Sequence, residues 1–231
     1  MTQAPHSPSQ NLNESVINTT IVTSANPSEL SELEAAIMDA CNELHTSREM
    51  QDQAGIEIFT STLLTLLDSY DATDGDHHPN PAWARPNQRA LAYSAMGDLE
   101  RAIALEMTAL KYADSPRRQE ISNGNIADRL IRIGDPQAAI EFFLDAHQHN
   151  PDSIPVLLTG AVAVYEAGYE EQAETIFNTI LVNPQLLIEG SELAAYLDLD
   201  ARTRRVAMNL DSGLKLLSKL HSMRAQSGDR S

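Results

Sequence analysis

Apolar residues return every three or four positions along most of the chain, the spacing that lays a single stripe along a helix. Leu30, Leu33, Ile37, Cys41 and Leu44 make one stripe, and Phe59, Leu63, Leu66, Leu67 and Tyr70 a second. Together they predict an N-terminal helical hairpin over 29–72, started by Ser28 or by Ser31, which stands in capping-box spacing with Glu34. The Asp-Gly, His-His, Asn-Pro and Arg-Pro steps between Asp71 and Pro86 predict a linker over 73–85. From 86 to 185 the pattern repeats. Gly97, Gly134 and Gly168 are followed five positions later by Ala102, Ala139 and Ala173, at a period that indicates stacked helix-turn-helix units. Each glycine suits the left-handed end of a helix, and Asn150-Pro151 and Asn183-Pro184 stop the returning helices. Ile140, Phe143, Ile176 and Phe177 supply apolar faces that a lone hairpin cannot bury, so stacking is obligatory.

Capping helices are expected over 186–224. A short one carries Leu193, Tyr196, Leu197 and Leu199, and one longer helix starts near Thr203 with Val206, Leu210, Leu214, Leu217 and Leu220 on one face. Residues 1–28 are dominated by Ser, Thr, Asn, Gln and Pro and read as a disordered leader, and 225–231 as a disordered tail. The fold class predicted is all-α.

The repeated units resemble tetratricopeptide (TPR) repeats. The matching residues are Tyr93, Gly97, Asp98, Ala102, Ala109 and Leu110 in the first unit. In the second they are Ala127, Leu130, Gly134, Asp135, Ala139, Phe143, Ala146 and Pro151, and in the third Leu157, Ala161, Gly168, Ala173, Phe177 and Pro184. The resemblance covers about residues 83–185. It implies a right-handed α-solenoid of about three repeats, with the N-terminal hairpin and the C-terminal helices covering its ends.

Charge narrows the partners. The formal net charge is -17, and residues 133–201 hold 12 acids without a single Lys or Arg, whereas 202–231 is basic. Such a field repels nucleic-acid phosphates and anionic membranes, so neither is an expected partner. No run of apolar residues is long enough for a membrane span or a signal segment, and the one cysteine, Cys41, sits in an apolar stripe as a structural thiol. A cytoplasmic location is the expectation.

No phosphate loop, nucleophile elbow, paired-histidine zinc helix or cysteine-pair spacing is present. Asp74, Asp76, His77 and His78 do not follow the order of a calcium loop and read as a solvated linker, and His147 and His149 fall on different faces of one helix. The chain therefore reads as a binding module, not an enzyme, with neither cofactor nor metal. The TPR resemblance implies that the first helix of each repeat lines a groove. Its candidates are Asn87, Leu91 and Ser94 from the first, Asn125, Asp128, Ile131 and Arg132 from the second, and Thr159, Val162, Tyr165 and Glu166 from the third. Leu91, Ile131, Val162 and Tyr165 would make an apolar floor and the acids its margins. The partner expected is another protein, offering a basic or amphipathic segment. The alternatives are a structural subunit that self-associates through repeat ends, giving a homo-oligomer, and a TPR-type secretion chaperone.

Overall fold

The computed structural model describes residues 31–73, 77–188, 193–194, 196–197 and 200–228. The described residues form eleven helices and no strand. Two helices open the chain, α1 (Glu32–Glu49) and α2 (Gln53–Ala72). Three further pairs follow: α3 (Pro81–Met96) with α4 (Leu99–Lys111), α5 (Pro116–Arg132) with α6 (Pro136–His149), and α7 (Ile154–Glu166) with α8 (Glu170–Val182). After the short α9 (Pro184–Ile188), α10 (Ala201–Met208) pairs with α11 (Asp211–Gly228). Each pair packs as a hairpin, and pairs meet in chain order: α1 packs on α3, α5 on α7, α7 on α10, and α8 on α11. No helix among the described residues is long and apolar enough to cross a membrane.

Local chemistry sets the boundaries. Ser31 Oγ accepts from the Glu34 amide and Glu34 Oε2 accepts from the Ser31 amide, each at 3.1 Å, which makes Ser31 the cap of α1. The other oxygen of Glu34 accepts from the Tyr70 hydroxyl at 2.9 Å, so one carboxylate caps α1 and ties it to α2. Asn80, Ser115 and Asp135 cap α3, α5 and α6, with Pro81, Pro116 and Pro136 in the first turn, where a missing amide costs nothing. The linker expected over 73–85 is accordingly shorter, because Asn80 and Pro81 start the helix early. Of its residues, 74–76 lie outside those described, as do the whole leader, Leu199 and the last three residues of the tail. The tail expected from 225 is helical as far as Gly228.

The three turn glycines have φ of 82°, 85° and 88°. At each, the glycine amide donates to the carbonyl three residues back and the next amide to the carbonyl five back, as in Gly134 to Ile131 (3.0 Å) and Asp135 to Leu130 (2.9 Å). Between α1 and α2 the same pair of bonds appears, Gln51 to Arg48 (3.2 Å) and Asp52 to Ser47 (2.8 Å), with Gln51 itself at φ 56°. The first hairpin thus turns as the glycine-bearing ones do.

Ala102, Ala139 and Ala173 are fully buried between paired helices. Phe143 of α6 lies where a side chain on Gly160 of α7 would be, so that glycine makes room for a ring. At the C-terminus, the single helix expected from near Thr203 is broken at Asn209-Leu210. Gly213 of α11 lies so close to the backbone of Ala207 that a Cβ has no room, and the chain turns back on itself there. The break changes the helical phase: Leu216 and Leu220 are buried and Leu214 is exposed. Val206, Ala207, Leu210, Leu216 and Leu220 join the same apolar cluster as α7 and α8.

An L-residue in the left-handed region carries a steric penalty that glycine lacks, about 1 kcal/mol. Gln51→Gly is therefore expected to raise the free energy of unfolding by about that amount, and Gly134→Ala, at a position with open space around it, to lower it similarly. Urea denaturation of both variants tests the turn geometry; a destabilised Gln51→Gly protein would contradict it.

Candidate functional site

The residues expected to line a groove divide in two. Asn87, Leu91, Ser94, Asn125, Ile131 and Val162 are buried by the chain itself, and this corrects the expectation of an open floor. The burial has two sources. Leu91 belongs to an apolar cluster with Ile37, Cys41 and Leu44 of α1, and Ile131 and Val162 to one with Leu186, Leu187, Leu193 and Leu197. The stripes at both ends of the chain need cover, and they find it on these helices.

The two asparagines serve an internal polar node. Glu106 of α4 is fully buried and accepts from Asn87 Nδ2 at 2.9 Å, Asn125 Nδ2 at 3.3 Å and Arg129 Nη1 at 2.9 Å. Arg129 is itself buried, so the ion pair lies within the protein with two amides completing it. Sequence reasoning missed both members. The available signal was a charged residue at an otherwise apolar-facing position, Glu106 being four residues after Ala102 and three before Ala109.

The second group stays partly open: Asp128 and Arg132 of α5, and Thr159, Tyr165 and Glu166 of α7. All of these but Thr159, in the middle of α7, lie towards the C-terminal ends of their helices, where arginines from other helices converge. Arg48 of α1 donates to the Ala95 carbonyl at 2.9 Å, and Arg132 to Ser94 Oγ at 2.8 Å. From α10, Arg202 reaches Asp128 at 2.5 Å and Arg205 pairs with Glu166. A guanidinium at a helix C-terminus also meets the negative end of the helix dipole. The expected acidic margin is therefore neutralised from within by the basic segment that follows it.

Titration follows the contacts. Burial pushes the Asp128 carboxyl up, but the Arg202 and Arg132 guanidinium groups more than offset this and hold it below its ordinary value. Burial lowers the Arg132 guanidinium, aided by neighbouring Arg202, Arg129 and Arg48 against the pull of Asp128. At the far end of the same row, Glu174 accepts from the Asp211 and Ser212 amides at 2.7 and 2.9 Å and so caps α11 from α8. Its slight burial acts upward, and these hydrogen bonds carry it below its usual range.

Other groups are committed to structure. His78 stacks on Trp83 at 5.8 Å and accepts from the Asn80 amide, and burial holds its imidazole below the ordinary value. Cys41 is buried and its thiol is pushed up to about 12. Among the described residues no group of three His, Cys, Asp or Glu side chains is placed to hold a metal ion. No protein-family model matches the chain, and no curated protein or solved structure matches it either.

Removing one member of a buried ion pair strands the other, at a cost of about 3–5 kcal/mol. Arg129→Met is expected to cost that much in urea denaturation, and Glu106→Gln/Arg129→Met to recover part of it. A double variant no more stable than the single one would show that the pair is not coupled.

Asp128 and Glu174 both titrate lower in the folded chain than in the unfolded one. Their contribution is thus fully present above the ordinary carboxylate value of about 4 and is lost as pH falls through the lower folded values. Hydrogen exchange at decreasing pH is expected to show the α10–α11 hairpin opening ahead of α3–α6, and Asp128→Asn to reduce that pH dependence. Uniform opening of all helices would contradict the assignment.

Proposed function

We propose that this chain is a non-enzymatic protein-interaction module of the TPR kind. Three repeats would form a right-handed solenoid, with the α1–α2 hairpin covering one end and α10–α11 the other. The three glycine turns, alike in φ and in their backbone hydrogen bonds, and the buried alanine five residues after each support this reading.

The observation that carries the interaction role is the strip left open on α5 and α7. There an aromatic ring, Tyr165, shares the surface with a hydroxyl (Thr159), two carboxylates (Asp128, Glu166) and three guanidinium groups (Arg132, Arg202, Arg205). Mixed charge around an aromatic side chain suits a polypeptide segment, which offers both signs of charge and apolar groups. Because Asp128 and Glu166 already hold Arg202 and Arg205, a basic partner residue there exchanges with an internal one; net affinity then rests more on Tyr165 than on bulk acidity.

Capture from native extracts on immobilised protein, compared between wild type and Tyr165→Ala/Glu166→Lys, tests the reading. Expected is loss of the same captured proteins from the variant, compared at a temperature at which circular dichroism shows both proteins folded, by tenfold or more for a residue at the centre of an interface. Identical capture by both proteins would overturn it, and a mass that grows with concentration would favour the self-associating subunit instead.

A further inference from the structure

The turns themselves form a continuous edge. Bonds run from each to its neighbour: Arg48 to the Ala95 carbonyl, Arg132 to Ser94 Oγ, Tyr169 Oη to Gln137 Oε1 at 3.4 Å, and the Asp211 and Ser212 amides to Glu174. The last three consecutive turns each hold a large apolar side chain in the open, Ile133 (45% exposed), Tyr169 (43%) and Met208 (55%). Isolated apolar residues on a surface are ordinary. Here they fall at successive turns of hairpins that pack on one another, Ile133 just before its turn glycine, Tyr169 just after its own and Met208 at the end of α10, so the three open side chains share one edge.

One side of the ridge is acidic. Asp135, Glu170, Glu171 and Asp211 are exposed at the starts of α6, α8 and α11, directly beyond the three apolar side chains. Asp135 uses one oxygen to cap α6. On the other side the cations are already paired, Arg132 with Asp128 and Arg205 with Glu166, which leaves Arg204 as the exposed base nearest the last turn. The ridge therefore presents apolar anchors beneath a net negative shoulder.

We propose that this edge docks a basic amphipathic helix of a partner protein, with its apolar stripe on Ile133, Tyr169 and Met208 and its Lys or Arg side chains over Asp135, Glu170, Glu171 and Asp211. Packed helices lie about 8–10 Å apart and seven residues of a helix advance about 10.5 Å, so a partner helix with apolar residues at i, i+7 and i+14 matches the spacing of successive hairpins. This surface shares no residue with the strip around Tyr165 and stands independently of it.

The test uses the full chain and a designed eighteen-residue peptide with leucines at i, i+7 and i+14 and lysines on its flanks, followed by fluorescence anisotropy. Ile133→Ser/Tyr169→Ser/Met208→Ser is expected to weaken binding by about tenfold or more. Glu170→Gln/Glu171→Gln is expected to weaken it less and to flatten its salt dependence. Equal binding of a scrambled peptide of the same composition, or unchanged affinity in the triple variant, overturns the proposal. Environment-sensitive labels give a readout free of the triple substitution. A label on Met208→Cys should respond to the peptide, and one on Val182→Cys, exposed at the opposite end of α8, should not. The buried Cys41 stays unlabelled in both. The reverse pattern overturns the proposal, as does self-association abolished by the triple variant, which would make the occupant a second copy of this chain.

Discussion

The buried pair of Glu106 and Arg129 sets the register of the middle of this protein. A carboxylate taken wholly out of water is tolerated only where donors surround it, and two helices supply them, Asn87 from α3 and Asn125 and Arg129 from α5, around an acid on α4. Apolar contacts between these helices tolerate sliding, since one methyl group packs nearly as well as the next. The polar node does not, because a shift of one helical position leaves a charge without a partner. The first repeat and the start of the second are locked relative to each other, and the stacking on either side inherits that alignment.

Arginine does a comparable job at the surface. Arg48, Arg132, Arg202 and Arg205 each span from one helix to another, and the length of the side chain lets a guanidinium reach well beyond its own helix. Arg202, on the helix after the third repeat, reaches Asp128 in the second. In a chain of net charge -17, the few cations in this region are thus concentrated where they connect repeats.

Features fixed by local backbone chemistry were legible in the sequence. Glycine is the residue that adopts positive φ without strain, so Gly97, Gly134 and Gly168 announced three turns, whereas the Asn80-Pro81 step, read as linker, starts a helix, because proline fits a first turn as well as a loop. The turn at Gln51 was hidden because a residue that tolerates the strain left no signature. The corner at Asn209-Leu210 was hidden for a different reason: its cause is contact between Gly213 and Ala207, and the apolar spacing reads smoothly across it. The candidate site failed in the same nonlocal way. Periodicity located the faces of α3, α5 and α7 but not their cover, which comes from segments about 50 residues before Leu91 and about 60 after Ile131. Asp128, Arg132, Tyr165 and Glu166 remain accessible because they lie towards the helix ends, beyond the reach of that cover, and Thr159, in the middle of α7, is half-buried.

The carboxylate of Glu34 has one oxygen on the Ser31 amide and the other on the Tyr70 hydroxyl. Helix starts ordinarily fray independently of the rest of a protein, since their first amides lack partners within the helix. Here the first turn of α1 cannot unwind without also releasing Tyr70 of α2, whose ring is buried. Initiation of the helix and closure of the hairpin are one cooperative event, and any chain attached ahead of Ser31 is joined to a fixed point, not to a loose end.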